Sequence, residues 1–184
     1  MAISGRILKI FGWKITGEFP DLKKSVVVFA PHTSAWDFIL GILYMNEKGV
    51  KNYSLVKKEV FFFPINIIMN ALGAIPVDRK NKNSNVASQV VLAFNKNNEF
   101  NLIVSAEGSR RKVSNWKRGF YHIAQAANVP IVIGYIDYEM KEVGIEGIVS
   151  DTSNLENTMK EINMFYKNVK GKYPENFVLD KRYS

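Results

Sequence analysis

The sequence predicts one α/β domain spanning residues 1–184, built on a mostly parallel central sheet flanked by helices. Two observations support this prediction. Short, continuously apolar runs alternate with segments of helical periodicity, as in parallel sheets covered on both faces. With 184 residues and 47% hydrophobic side chains, the chain also has the size and composition of a single globular domain. No repeat, low-complexity tract or linker indicates a domain boundary.

The N-terminal third of the chain predicts a helix, a buried strand and a second helix. Residues 3–12 place apolar side chains on one face at helical spacing, which predicts a short amphipathic helix ending near Gly12. Residues 26–30 form an apolar run typical of a strand buried on both faces, and this run stops at Pro31. Residues 36–48 return to helical spacing.

The remaining elements continue the alternation of strand and helix. Apolar runs predict strands over residues 53–57, 74–77, 100–105 and 130–136, the last paired with an edge strand over 143–149. Helical periodicity predicts helices over residues 65–72, 86–94, 119–128 and 154–169. This order implies a sheet whose strands mostly run in one direction.

Charge and rare residue types restrict the chemistry. The net charge of +8 and pI near 9.5 indicate a surface that attracts phosphates, whether on nucleic acid, lipid headgroups or a small substrate. The absence of cysteine excludes disulfides, thiolate metal sites and a cysteine nucleophile. With two histidines, His32 and His122, we expect no histidine-built metal site.

Membrane-spanning and secreted proteins are also disfavoured. No apolar run reaches the roughly 18 residues that a spanning helix needs. The N-terminus lacks the pattern of a secretory signal. We therefore expect a cytoplasmic protein whose membrane contact, if any, is at the surface.

The first candidate site is the turn that follows the strand over residues 26–30. A histidine and an aspartate five residues apart, His32 and Asp37, can place the carboxylate beside one ring nitrogen and leave the other as a general base. Because neither cysteine nor a GxSxG motif is present, His32 would take a proton directly from a substrate hydroxyl or amine. The structural alternative is that Asp37, Thr33 or Ser34 caps the helix.

The second candidate site is the basic loop over residues 107–112, directly after another buried strand. Its glycine allows the backbone to approach an anion, and Arg110 or Arg111 can hold phosphate oxygens in bidentate fashion. The single acid, Glu107, would orient an arginine or bond a substrate hydroxyl. Arg79, at the end of a third strand, could reach the same anion. The alternative is a solvated charged loop.

Four short blocks occur in a fixed order along residues 25–136. They are His32 to Asp37 (HxxxxD, and HxSxxD through Ser34), Gly73 to Arg79, Glu107-Gly108-Ser109-Arg110 (EGTR with serine for threonine), and Val129-Pro130-Ile131-Val132. Together they resemble the motifs of the glycerolipid acyltransferase family, which includes the bacterial 1-acylglycerol-3-phosphate acyltransferases.

The resemblance implies a glycerol-3-phosphate acyltransferase-like fold and an O-acyltransferase of phospholipid biosynthesis. Such an enzyme moves a fatty acyl group from acyl-CoA or acyl carrier protein to the hydroxyl of a lysophospholipid such as 1-acylglycerol-3-phosphate, with no separate cofactor. The resemblance also implies that His32 is the general base and that Asp37 orients its ring. The substrate-binding residues would be Ser34, Arg79, Glu107, Gly108, Ser109 and Arg110, with the two arginines on the phosphate.

Under this interpretation the basic surface rests on anionic lipid, on the inner face of the membrane, or docks an acidic carrier protein. Residues 1–16 could form a membrane-surface helix, although capping the core is the alternative. Candidate lipid contacts are Phe11, Trp13, Phe61, Phe62 and Phe63, for which core packing is the competing role.

Two rival functions use the same residues. A lyso-aminolipid acceptor, such as an ornithine or glycine lipid precursor, would use His32 in the same way. A non-catalytic phosphate- or nucleic-acid-binding module would instead need a basic stripe with Trp116 as a stacking platform. The acyltransferase interpretation predicts no nucleic-acid partner. The stripe would contain Arg110, Arg111, Lys112, Lys117 and Arg118.

Overall fold

The computed structural model describes residues 2–77 and 86–183, and its 7-stranded sheet confirms the predicted α/β fold class. The strands are β1 (Lys14–Thr16), β2 (Lys24–Ala30), β3 (Asn52–Lys57), β4 (Ala74–Val77), β5 (Phe100–Ser105), β6 (Ile131–Asp137) and β7 (Glu142–Ile148). The helices are α1 (Ile3–Ile10), α2 (Ala35–Glu47), α3 (Ile65–Ala71), α4 (Val86–Lys96), α5 (Gly119–Ala127) and α6 (Leu155–Phe165).

The strand order places β2 at the centre of the sheet. The order is β1-β7-β6-β2-β5-β3-β4, and β2 pairs in parallel with both β5 and β6. The pairs β3–β4 and β3–β5 are also parallel. The carboxyl ends of these five strands therefore lie at one edge of the sheet, where sites of α/β proteins gather.

The far edge of the sheet differs from the prediction. The strand β7 pairs with β6, as expected, and the pairing is antiparallel. It is not an edge strand, because β1 pairs in parallel with its outer side. Lys14 stands opposite Glu142 in this pairing, and their side chains form an exposed ion pair. Three residues are too few to show strand periodicity, so sequence patterning missed β1.

Two apolar clusters cover the two faces of the sheet. Val26 and Val28 of β2 pack against α4, α5 and α6, while Val27 and Phe29 pack against α1 and α2. This alternation explains why β2 is continuously apolar, since both of its faces are buried. The helix α3 is different because none of its residues is buried.

The segment after α6 fastens the loop that follows β5. The buried Asp180 accepts hydrogen bonds from the Trp116 backbone N–H (3.0 Å) and from the Arg182 guanidinium (2.7 Å). Burial would raise the pKa of Asp180, but the hydrogen bonds from Arg182 and Trp116 outweigh it and lower that pKa. The Trp116 indole also donates to the Val178 carbonyl (2.9 Å).

Among residues 2–77 and 86–183, no helix has both the length and the apolar character needed to cross a membrane.

Candidate active site

The turn after β2 is organised by the first residues of α2. Ser34 is the N-cap of α2, and its hydroxyl accepts from the Trp36 N–H (3.2 Å). Asp37 completes a capping box, since its Oδ2 accepts from the backbone N–H groups of Thr33 and Ser34 at 2.7 Å each. The helix cap that was the alternative to a catalytic pair is therefore present. The same hydrogen bonds also hold the Asp37 carboxylate in place.

The same carboxylate lies beside the histidine ring. His32 Nδ1 is 3.3 Å from Asp37 Oδ2, so one residue serves both as helix cap and as the acidic neighbour of the imidazole. The His32 side chain is 25% exposed, whereas Asp37 is buried. With Nδ1 facing the carboxylate, Nε2 is the nitrogen left to accept a proton. The structure thus brings together the two residues that the HxxxxD spacing singled out.

Glu107 approaches the same turn from the neighbouring strand. Phe29 of β2 stands opposite Ser105 of β5, so His32, three residues after Phe29, and Glu107, two residues after Ser105, leave the sheet side by side. Glu107 Oε1 accepts from the His32 backbone N–H (2.6 Å), and Oε2 accepts from the Ser105 hydroxyl (2.9 Å). Burial raises the pKa of the Glu107 carboxyl, against the opposing effect of these donors.

These contacts give Glu107 partners that the sequence did not indicate. It is buried, and among residues 2–77 and 86–183 its carboxylate bonds the His32 N–H and the Ser105 hydroxyl and no arginine. Ser34 is likewise buried in the helix cap, which accounts for its hydroxyl without a substrate. Both residues support the turn that carries His32.

Most of the basic loop after Glu107 is exposed to solvent. Gly108 has a φ of +65°, the left-handed conformation that favours glycine, and an added Cβ would lie 2.7 Å from Lys117 Cγ. The Ser109 hydroxyl accepts from the Arg111 N–H (3.1 Å). Arg110 and Arg111 are exposed, so the loop presents two guanidinium groups to an anion. Arg79, the other predicted phosphate ligand, lies outside the described residues.

Trp116 is buried and cannot be the stacking platform that the rival nucleic-acid-binding function would need. Its side chain is only 2% exposed and its indole N–H is bonded to the Val178 carbonyl. A base needs an exposed aromatic face on which to stack. Arg118, a member of the expected basic stripe, packs against the Tyr183 ring with 5.7 Å between guanidinium carbon and ring centroid.

Two further residues contact the site and were missed by sequence reasoning. The Tyr138 hydroxyl donates to Asp37 Oδ1 (2.7 Å), and the Tyr173 backbone N–H donates to the Thr33 hydroxyl (3.2 Å). Tyr138 directly follows β6, so its position at the carboxyl end of a buried strand was the available signal. Tyr173 lies beyond the last helix and no pattern in the sequence indicated it.

The arrangement can remove a proton from a bound hydroxyl. An accessible imidazole lies beside a buried carboxylate that receives two backbone N–H groups, the usual surroundings of a general base. A family model described as Acyltransferase matches residues 13–136, more than half of the chain. The chain belongs to the acyltransferase family. This acyltransferase has no match among curated proteins.

The family match includes His32, Asp37 and Glu107 and ends at Ile136. Tyr138 and Tyr173 lie outside it. In this acyltransferase, residues beyond the matched segment thus complete the surroundings of the HxxxxD turn.

Proposed function

We propose that this acyltransferase is an O-acyltransferase that moves a fatty acyl group from acyl-CoA or acyl carrier protein to the hydroxyl of a lysophospholipid such as 1-acylglycerol-3-phosphate. The observation that carries the proposal is the partly exposed His32 ring with Nδ1 3.3 Å from the buried Asp37 carboxylate. No covalent intermediate is needed, because the acceptor hydroxyl itself is the nucleophile.

In the proposed reaction, His32 Nε2 takes the hydroxyl proton as the acceptor oxygen attacks the thioester carbonyl carbon. A C–O ester bond forms, the C–S bond breaks, and the imidazolium returns its proton to the departing thiolate. Asp37 stabilises the imidazolium between these steps. A general base of this kind typically contributes about 10²–10⁴-fold to the rate.

Arg110 is the proposed ligand of the acceptor phosphate, together with Arg79. Arg110 is exposed two residues after Gly108, whose conformation lets the backbone come close to an anion. We expect Arg110→Ala to raise the acceptor KM with little change in kcat, because the phosphate is bound equally in the ground and transition states. An acceptor without phosphate, such as a lyso-aminolipid, would not show this loss.

Membrane binding is the second part of the proposal. Apolar side chains are exposed on segments that reach the carboxyl edge of the sheet: Phe11 is 68% exposed after α1 and Phe63 is 79% exposed after β3. The Lys141 ammonium approaches the Phe11 carbonyl (3.5 Å), which places Phe11 by the β6–β7 turn. We infer that this edge rests on anionic lipid at the inner face of the membrane, where lysophospholipid acceptors reside.

The five predicted lipid contacts differ in their exposure to solvent. Phe11, Phe62 and Phe63 are exposed and remain candidates, Phe61 is half-buried, and Trp13 is buried against Tyr138. Trp13 is therefore a core residue. The exposed face of α3 adds Ile67 and Ile68.

The catalytic test is thiol release from acyl-CoA with a panel of lysophospholipids and lyso-aminolipids. We expect release with a lysophospholipid, and a loss of at least about 100-fold in His32→Ala. The matched control is His122→Ala, which removes the exposed second histidine. Release that persists in His32→Ala would refute the assigned base, and a preference for lyso-aminolipids would support the alternative acceptor.

The membrane test is co-flotation with vesicles. We expect binding to phosphatidylglycerol vesicles, weaker binding to phosphatidylcholine vesicles, and reduced binding of the double variant Phe62→Ser, Phe63→Ser. Leu92→Ser is the matched control, since Leu92 is 67% exposed on α4. Equal loss in the control variant, or no binding by the wild type, would contradict the proposed surface.

A further inference from the structure

Asp37 has two carboxylate oxygens with different partners. Oδ2 accepts from the Thr33 and Ser34 N–H groups and lies 3.3 Å from His32 Nδ1. Oδ1 accepts from the Tyr138 hydroxyl at 2.7 Å. The phenol therefore binds the carboxylate oxygen that is not paired with the imidazole.

Tyr138 is itself held by two other parts of the chain. Its backbone N–H donates to the Lys170 carbonyl (2.9 Å), in the segment after α6. Its ring packs edge-on against Trp13, with centroids 5.0 Å apart and an interplanar angle of 88°. The residue before it, Asp137, accepts from the Lys170 N–H (3.3 Å). These contacts leave the phenol little freedom to turn away from Asp37.

We infer that Tyr138 is a positioning residue. Its hydroxyl holds Asp37 in the orientation that directs Oδ2 to His32, and the same hydrogen bond limits how strongly the carboxylate attracts the imidazolium. This inference rests on the proposed function, in which His32 is the base. A hydrogen bond to one oxygen of a carboxylate stabilises its negative charge and weakens its pull on a proton held by a neighbour. Loss of the phenol hydroxyl leaves a buried oxygen without its donor.

The phenol is a donor throughout the range in which the enzyme would be assayed. Burial, followed by the hydrogen bond to Asp37 and its charge, raises the pKa of Tyr138 well above its usual range. Among the described residues, the other charged or titratable groups around the turn are Glu107, which follows β5, and Lys172 and Tyr173 from the segment after α6. Tyr138→Phe changes none of them.

The first measurement is an NMR titration of the histidine ring protons. Because the chain has only two histidines, His32→Ala assigns both resonances and His122 is an internal reference. In Tyr138→Phe we expect the midpoint of the His32 titration to move to higher pH, since Asp37 then attracts the imidazolium more strongly. The midpoint of His122 should not move. An unchanged His32 midpoint would overturn the inference.

The second measurement is the pH profile of thiol release. We expect Tyr138→Phe to lower kcat about tenfold, the effect of losing a charge-assisted hydrogen bond, and to shift the acidic limb upward. The control is Tyr135→Phe, in the strand β6 that precedes Tyr138, because its hydroxyl bonds the Thr16 hydroxyl of β1 at 2.7 Å and not Asp37. A similar loss in both variants, with no shift of the limb, would indicate a merely structural role for Tyr138.

The two measurements separate the inference from the proposed function. Thiol release by the wild type tests the function, whereas the titration of His32 requires no turnover. No thiol release by the wild type, together with a shifted His32 midpoint in Tyr138→Phe, would refute the function but support the coupling of Tyr138 to His32 and Asp37. Release with an unchanged midpoint and profile would retain the function and refute the role of Tyr138.

Discussion

The buried Glu107 carboxyl should make stability depend on pH in a specific direction. Burial raises its pKa in the folded protein, so the folded state binds this proton more tightly than the unfolded chain. Its contribution to the free energy of unfolding is therefore fully present below the unfolded pKa, near 4.5, and is lost as pH rises through the folded pKa. Each unit of elevation corresponds to about 1.4 kcal/mol.

Two substitutions of Glu107 separate its charge from its hydrogen bonds. Glu107→Gln keeps an acceptor for the His32 N–H, so we expect it to remove the pH dependence at little cost at low pH. Glu107→Ala removes acceptors of hydrogen bonds of 2.6 Å and 2.9 Å, and we expect it to lower the free energy of unfolding by about 2–4 kcal/mol.

The assay is urea denaturation between about pH 4 and pH 8. At each pH, the free energy of unfolding of the wild type is subtracted from that of each variant. Glu146→Gln is the control, because Glu146 is an exposed glutamate on β7. The reasoning is refuted if the wild type and Glu107→Gln give parallel curves over this range.

Two further substitutions test the segments that support the site. In Gly171→Ala, the added Cβ would lie 2.9 Å from the Thr33 hydroxyl oxygen, so we expect a shifted turn and a cost of about 1–3 kcal/mol in stability, with a lower kcat for thiol release. Gly119→Ala, where a Cβ meets nothing within 4 Å, should leave both unchanged, and equal effects would contradict the close packing. Asp180→Ala should lower the free energy of unfolding by about 3 kcal/mol in urea titrations, because it leaves the buried Trp116 N–H without its acceptor. A loss below about 1 kcal/mol would mean that this contact does not fasten the loop.

The strands and helices with strong periodicity could be predicted from sequence. The strand over residues 26–30 is continuously apolar because both of its faces are covered, and β2 extends from Lys24 to Ala30. The three-residue β1 carries no periodic signal, so the prediction that residues 143–149 form an edge was wrong. Pairing between distant segments depends on tertiary packing that local patterning does not contain.

The candidate site could be predicted only where its residues lie close together in the chain. His32 and Asp37 share one turn, and their spacing was enough to bring them into contact. The partner of Glu107 could not be deduced in the same way, because its bond to the His32 N–H depends on β5 lying next to β2. Tyr138 reaches Asp37 for the same reason, through β6 on the other side.

The central position of β2 has a consequence for biosynthesis. Its two neighbours, β5 and β6, are translated after β3 and β4, so the polypeptide emerging from the ribosome holds the histidine turn long before its flanking strands exist. The contacts of His32 with Glu107 and of Asp37 with Tyr138 form only once those later strands have joined the sheet. The nascent chain therefore completes the surroundings of the histidine turn only after Tyr173, whose N–H bonds the Thr33 hydroxyl, has been made.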